Sequence, residues 1–257
     1  MTHYPFPDSR GTKIALAAFF TAMLFLARDS MFTTAVIGFE KAQFLMLGVI
    51  CLLGAAFLVV NRRNLLKILK DRRMIVAGIA AAVLLLPMLV KRDWQLMYFS
   101  VLLCLLTAVL LSYFLTVREA AKYYVAILSL LGAYSVLAAY ILRIGVDKGA
   151  YAVPVFQNSM GFEFHNFFLS IVPDTYVKNR NFGIFREPGV YQFFLITALY
   201  LNNYEVEWKK PWQLWLVNGI LAATMVSTFA TGGVAEMGLL AVGLFFDKKW
   251  YRDKRIC

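Results

Sequence analysis

Trp94–Val117 reads WQLMYFSVLLCLLTAVLLSYFLTV, a run with no charged residue. A helix that crosses the hydrocarbon core of a bilayer needs roughly 17–25 apolar residues. The run is continuous rather than alternating, which excludes the period of a barrel strand. Working outward, Ile14–Ala27, Ala42–Val60, Met74–Val90, Lys122–Leu142, Gly189–Tyr204 and Trp212–Ala230 reach that length or fall a little short. Gly232–Phe246 is shorter still and carries Glu236. The pattern predicts an all-α polytopic membrane protein of about eight transmembrane helices. It forms a single integral membrane domain over residues 1–257. Composition agrees: 61% of residues are hydrophobic and 16% charged, against about 25% charged in an ordinary soluble domain. Mean hydropathy is +0.66, so lipid is the expected solvent.

Lys and Arg placement sets the direction. Asn61–Arg73, NRRNLLKILKDRR, holds six basic residues and belongs on the cytoplasmic side. By alternation the inner segments then hold 17 basic residues and the outer ones 9. Both termini are predicted inside, with 247–257 as a cytoplasmic tail. Cleavage after Ala27 would put bulky Phe25 where a signal peptidase wants a small residue, so the first helix is read as retained. The net charge of +11 falls largely in loops facing anionic headgroups, and no nucleic acid is needed to explain it. Cys51, Cys104 and Cys257 form no metal spacing or disulfide framework, and no nucleotide-binding or nucleophile-elbow motif occurs. Neither a metal nor a cofactor is expected.

One connection stands apart. Residues 143–188 form a long outer loop that is too rich in Phe, Val and Ile for a disordered segment, which suggests re-entrant or interface-lying pieces covering a site. It ends in Arg180-Asn-Phe-Gly-Ile-Phe-Arg-Glu-Pro-Gly-Val-Tyr191. Pro188 suits the first turn of a helix. Arg180 and Arg186 therefore precede the positive end of a helix dipole, a place that favours an anion such as phosphate. Glu187 is either a clamp on an arginine or a reactive carboxylate. His165 is one of two histidines and the only one in this loop; an imidazole titrates near neutral pH. Glu236 lies about one turn inside its helix, where an ionisable group is functional by default or salt-bridges Arg186 or Arg180. Asn202, Asn203 and Asn218 are expected to tie helices together.

RNFGIFREPGVYQFFLITALYLN resembles the central segment of bacterial O-antigen and exopolysaccharide polymerases (Wzy-type) and of O-antigen ligases. In those proteins an Arg-x-x-Gly-x-Phe-x-Glu-Pro-Gly-like stretch leads from an outer loop into a membrane helix. TMVSTFATGG, Thr224–Gly233, is similar to their small, hydroxyl-rich segment one helix later. The likeness covers about Arg180–Leu240. It implies metal-independent glycosyl transfer at the outer face of the bacterial cytoplasmic membrane, using glycan carried on undecaprenyl diphosphate. Arg180 and Arg186 would bind the diphosphate, Glu187 or His165 would act as base, and Tyr191, Gln192 and Glu236 would contact substrate. The partners implied are lipid-linked oligosaccharide, membrane lipids and a chain-length regulator. A ligase is the alternative within the family. Members usually continue with further helices and another outer segment, so a non-catalytic, C-terminally truncated member is another. A transporter or flippase is a third, although no internal repeat supports it.

Overall fold

The computed structural model describes residues 10–26, 30–31, 38–60, 70–92, 96–157, 161–174 and 180–247. The chain is mostly helical. Its contacts divide into two compact units, one built from residues up to Ala120 without Asp29–Met31, the other from Asp29–Met31 and Ala121 onward.

The first unit holds α1 (Arg10–Leu26), α2 (Phe39–Val60), α3 (Arg72–Lys91) and α4 (Leu96–Phe114). Ala42, Met46 and Ile50 recur every fourth residue on one stripe of α2, and Met23 of α1 packs on them. Asp71 caps α3 by accepting from the Arg73 N–H at 2.8 Å. Arg73 also reaches the Ser112 carbonyl at 2.6 Å and lies 4.2 Å over the Tyr113 ring. The hydrogen bonds from Arg73 hold the Asp71 carboxyl below the ordinary aspartate range. The rest of α3 is bare: Ile75, Val76, Ile79, Val83, Leu86, Leu89 and Val90 are all more than half exposed. That much apolar surface on one helix is a liability in water and normal against lipid.

The second unit takes in most of α5, a continuous helix over Val117–Asp147 that includes a π-helical turn at Ala138–Leu142. Thr116 and Glu119 cap its start reciprocally, a capping box. β1 (Val155–Gln157), β2 (Glu163–Asn166) and β3 (Ile171–Pro173) then form an antiparallel sheet in that order. Three helices follow: α6 (Pro188–Tyr204), α7 (Pro211–Ser227) and α8 (Thr231–Asp247). Asn202 and Asn203 each donate to Asn218 Oδ1, at 2.8 and 3.0 Å, which ties α6 to α7 as expected. Gly132 of α5 admits Thr224 of α7, whose Oγ1 would lie 2.8 Å from any added Cβ.

Two expectations need correction. Only α3 and α5 are both long and apolar enough to cross a membrane among the described residues, while Ile14–Phe25, Lys41–Ala56 and Cys104–Tyr113 are shorter apolar helices. Eight full spans are not borne out. The physical reason is length: α6, α7 and α8 have 17 residues each, about 25 Å at 1.5 Å per residue. The fold is also not purely helical, because the long loop contains the three-stranded sheet. The tail from 248, the N-terminal segment through residue 9 and residues 61–69 of the basic segment Asn61–Arg73 lie outside the described residues.

Candidate functional site

The segment between sheet and α6 is held from four sides. The Ile171 N–H donates to the Gly183 carbonyl at 2.6 Å, and the Met31 N–H to the Ile184 carbonyl at 2.8 Å. Ser30 bridges Phe185 in antiparallel fashion. Asn181 does the most: its N–H reaches the Ser227 carbonyl at 3.0 Å, and its side-chain amide donates to Ser135 Oγ and Ser227 Oγ at 2.8 and 2.9 Å. Its carbonyl oxygen accepts from the Gly183 N–H at 2.9 Å. Phe182, Ile184 and Phe185 are buried, and the Phe185 ring stacks 4.4 Å from Phe194. The buried Asn181 amide thus has a partner on both its nitrogen and its oxygen, as a low-dielectric interior requires.

The strap delivers two exposed charges to the start of α6. Pro188 opens the helix at N1 as predicted, and the Glu187 side chain makes no capping bond. The first turn therefore carries uncapped backbone donors and the positive end of the dipole. Arg186 Nε is 3.9 Å from Glu187 Oε1 with side chains 46% and 63% exposed. A pair so long and so wet adds little stability. Arg180 is half-buried and has no hydrogen bond or ion pair to any described residue.

The other predicted residues separate from this group. Tyr191 and Gln192 are 1% and 4% exposed, so they do not line an open site as expected. The Tyr191 hydroxyl lies 3.1 Å from Ser135 Oγ. Gln192 Nε2 donates to Thr228 Oγ1 at 2.7 Å and to the Ala230 carbonyl at 2.6 Å, while its Oε1 accepts from the Gly233 N–H at 2.8 Å. The reason is helical phase: Tyr191 faces α5 and the strap, and Gln192 faces the α7–α8 turn. Gly233 is the residue that admits Gln192, since an added Cβ would lie 2.3 Å from its amide carbon. Gln192→Leu orphans the Ala230 carbonyl and Gly233 N–H, at about 1–3 kcal/mol for each buried group. A clear fall in the unfolding midpoint of the detergent-solubilised protein is the expected result.

Glu236 is exposed on α8 and pairs with neither Arg180 nor Arg186, so the salt bridge considered for it is absent among the described residues. His165 sits on β2 and is 9% exposed. Its Nε2 is 3.3 Å from Asp174 Oδ1, and its Nδ1 is buried without a hydrogen bond. Arg143 Nη2 donates to the Asp174 carbonyl at 3.1 Å and its Nε lies 3.5 Å from Asp147. His165 and Asp174 share no ion pair with Arg180, Arg186 or Glu187 among the described residues. Asn181 and Ser135 are the residues that sequence reasoning passed over, while Ser227 lies in the hydroxyl-rich segment already noted; a hydroxyl inside an otherwise apolar helix was the signal for Ser135.

No group of three or more His, Cys, Asp or Glu side chains suited to a metal ion occurs among the described residues. Compared with known protein families, curated proteins and solved structures, the chain matches none.

Proposed function

We propose that the chain is a multi-pass protein of the bacterial cytoplasmic membrane. It polymerises lipid-diphosphate-linked oligosaccharide repeat units by glycosyl transfer at the outer face. The observation that carries this reading is the arrangement at the start of α6. There, Arg186 adjoins a helix N-terminus that the Glu187 side chain does not cap, at the end of a segment that begins with Arg180 and is fixed by buried hydrogen bonds. A diphosphate leaving group needs bidentate donors that stay in place as charge develops, and Arg186 with Arg180 supplies them. Glu187 is the exposed carboxylate nearest the helix start and takes the role of base for the attacking sugar hydroxyl. His165 stays an alternative base. The bare apolar faces of α3 and α5 support the membrane reading. The remaining passes of an eight-helix arrangement fall to shorter helices, which a bilayer accommodates by local thinning.

The test is complementation of a host that lacks its own polymerase but is supplied with the matching repeat-unit pathway, read as a glycan ladder on a gel. A ladder supports polymerisation; single repeat units alone would overturn it. Arg186→Lys is expected to shorten or thin the ladder, because a point charge does not replace a planar fork. An unchanged ladder would show that charge suffices.

A further inference from the structure

Residues 163–174 form a hairpin that lies along α5. Near one end, Arg143 of α5 holds the Asp174 carbonyl. At the other, the Tyr134 hydroxyl donates to the Phe167 carbonyl at 2.7 Å. Between these points Val172 and Phe167 pack on Ala138 and Ala139. The two ladders agree in length. Tyr134 to Arg143 is about 13 Å along a helix, and Ser170 to Asp174 is about 13 Å along a strand.

The depth of the tip follows from α5 itself. Tyr123–Leu142 carries no charge and is bounded by Lys122 and Arg143. Those bounds lie about 31 Å apart at 1.5 Å per residue, close to the roughly 30 Å of a hydrocarbon core. A tip level with Tyr134 is then well inside that core. Its chemistry agrees. Asn166-Phe-Phe-Leu-Ser-Ile171 has no charge, while Glu163 and Asp174 sit at the far end. Three backbone donors of the turn are bonded within it: the Phe167 N–H to the Ser170 carbonyl, the Leu169 N–H to the Phe167 carbonyl, and the Phe168 N–H to Asn166 Oδ1 at 2.9 Å; the Ser170 hydroxyl is buried without a hydrogen bond. Non-helical backbone at that depth has to be buried in protein, and Phe167, Ser170 and Ile171 are buried. Phe168 is held at φ +65°, a costly conformation for a bulky residue, and its ring is 77% exposed beside Leu169 at 41%.

We infer that the β2–β3 hairpin is re-entrant, with Phe168 and Leu169 seated among the acyl chains of the outer leaflet. The assignment rests on the membrane reading above and adds to it a β-element whose tip is solvated by lipid. The hairpin is joined to the Arg180–Glu187 strap through the Ile171–Gly183 hydrogen bond, so its insertion sets the height of the two arginines relative to the headgroups.

The experiment is spin labelling of the full chain in phosphatidylglycerol/phosphatidylethanolamine proteoliposomes, with Cys51, Cys104 and Cys257 replaced by serine. Labels go singly at Phe168→Cys and Leu169→Cys, with Leu130→Cys on an exposed site of α5 and Lys148→Cys as references. Collision with oxygen and with a water-soluble nickel chelate is measured. Position 168 or 169 behaving like 130, rich in oxygen and poor in nickel, is expected. Nickel contact at both tip positions equal to that at 148, with 130 still in lipid, overturns the hairpin assignment alone. Nickel contact at 130 as well overturns the membrane reading and the hairpin with it. Lipid contact that appears only after a polyprenyl diphosphate is added makes the substrate tail the occupant and overturns the bilayer assignment.

Discussion

Arg186→Ala is expected to remove the glycan ladder while the protein still inserts and purifies as a single species. The Arg186 and Glu187 side chains are 46% and 63% exposed and 3.9 Å apart, so truncation of Arg186 leaves the Glu187 carboxylate in solvent rather than buried. Its loss instead removes donors at the place where charge would gather on a departing diphosphate. Deleting one such donor costs about 10²–10³ in rate elsewhere, enough to collapse a polymer of many additions into unextended units. The measurement is ladder length in the complemented host, beside the amount of protein recovered from its membranes. Normal chain length would remove Arg186 from the mechanism. Equal loss of protein and ladder would make the effect one of folding.

Gly183→Val is expected to have the largest effect on stability. Gly183 adopts φ +56°, and an added Cβ would stand 2.6 Å from the Tyr191 ring. That ring has no room to retreat: it is 1% exposed, lies 5.3 Å from the Phe185 ring centroid, and its hydroxyl contacts Ser135. The left-handed backbone costs a branched residue about 1–2 kcal/mol, and overpacking adds about 1–3 kcal/mol. The sum is comparable with a substantial share of a domain's total stability. Size-exclusion profiles and unfolding midpoints in detergent check it, with Gly189→Ala as reference, because an added Cβ there meets nothing. A Gly183→Val protein as stable as Gly189→Ala would show that the strap is looser than its hydrogen bonds imply.

The apolar runs made the helices legible, and Pro188 marked the start of α6 to the residue. They also gave most of the last helix ends: Gly189–Tyr204 and Gly232–Phe246 fall within a residue of α6 and α8, while α7 stops at Ser227, three residues before the expected Ala230. What hydropathy did not settle is how many runs cross, since α6, α7 and α8 come out about a turn short of a full crossing. The sheet was invisible for a similar reason, since strands of three or four residues are too short for alternation to declare itself. At the candidate site, charge was readable and burial was not. Arg180, Arg186 and Glu187 emerge from the strap in the order the sequence suggested. Tyr191 and Gln192 turn inward, which was not legible because a helix apolar on its exposed face as well carries no polar stripe to reveal which side is core. His165 was picked for its chemistry alone; its neighbour Asp174 is brought beside it by the β2–β3 pairing, which no sequence pattern announced.

The pairing of Ser30 and Met31 with Phe185 and Ile184 bears on how the molecule is made. A growing chain delivers residue 30 long before residue 184, so the second unit cannot close until a segment synthesised early is met by one synthesised late. Contacts of such high sequence separation form slowly, because loop-closure entropy is lost before they reward it. The early segment must wait, and a polypeptide begun at Ala121 would lack a strand partner that its own strap was shaped to receive.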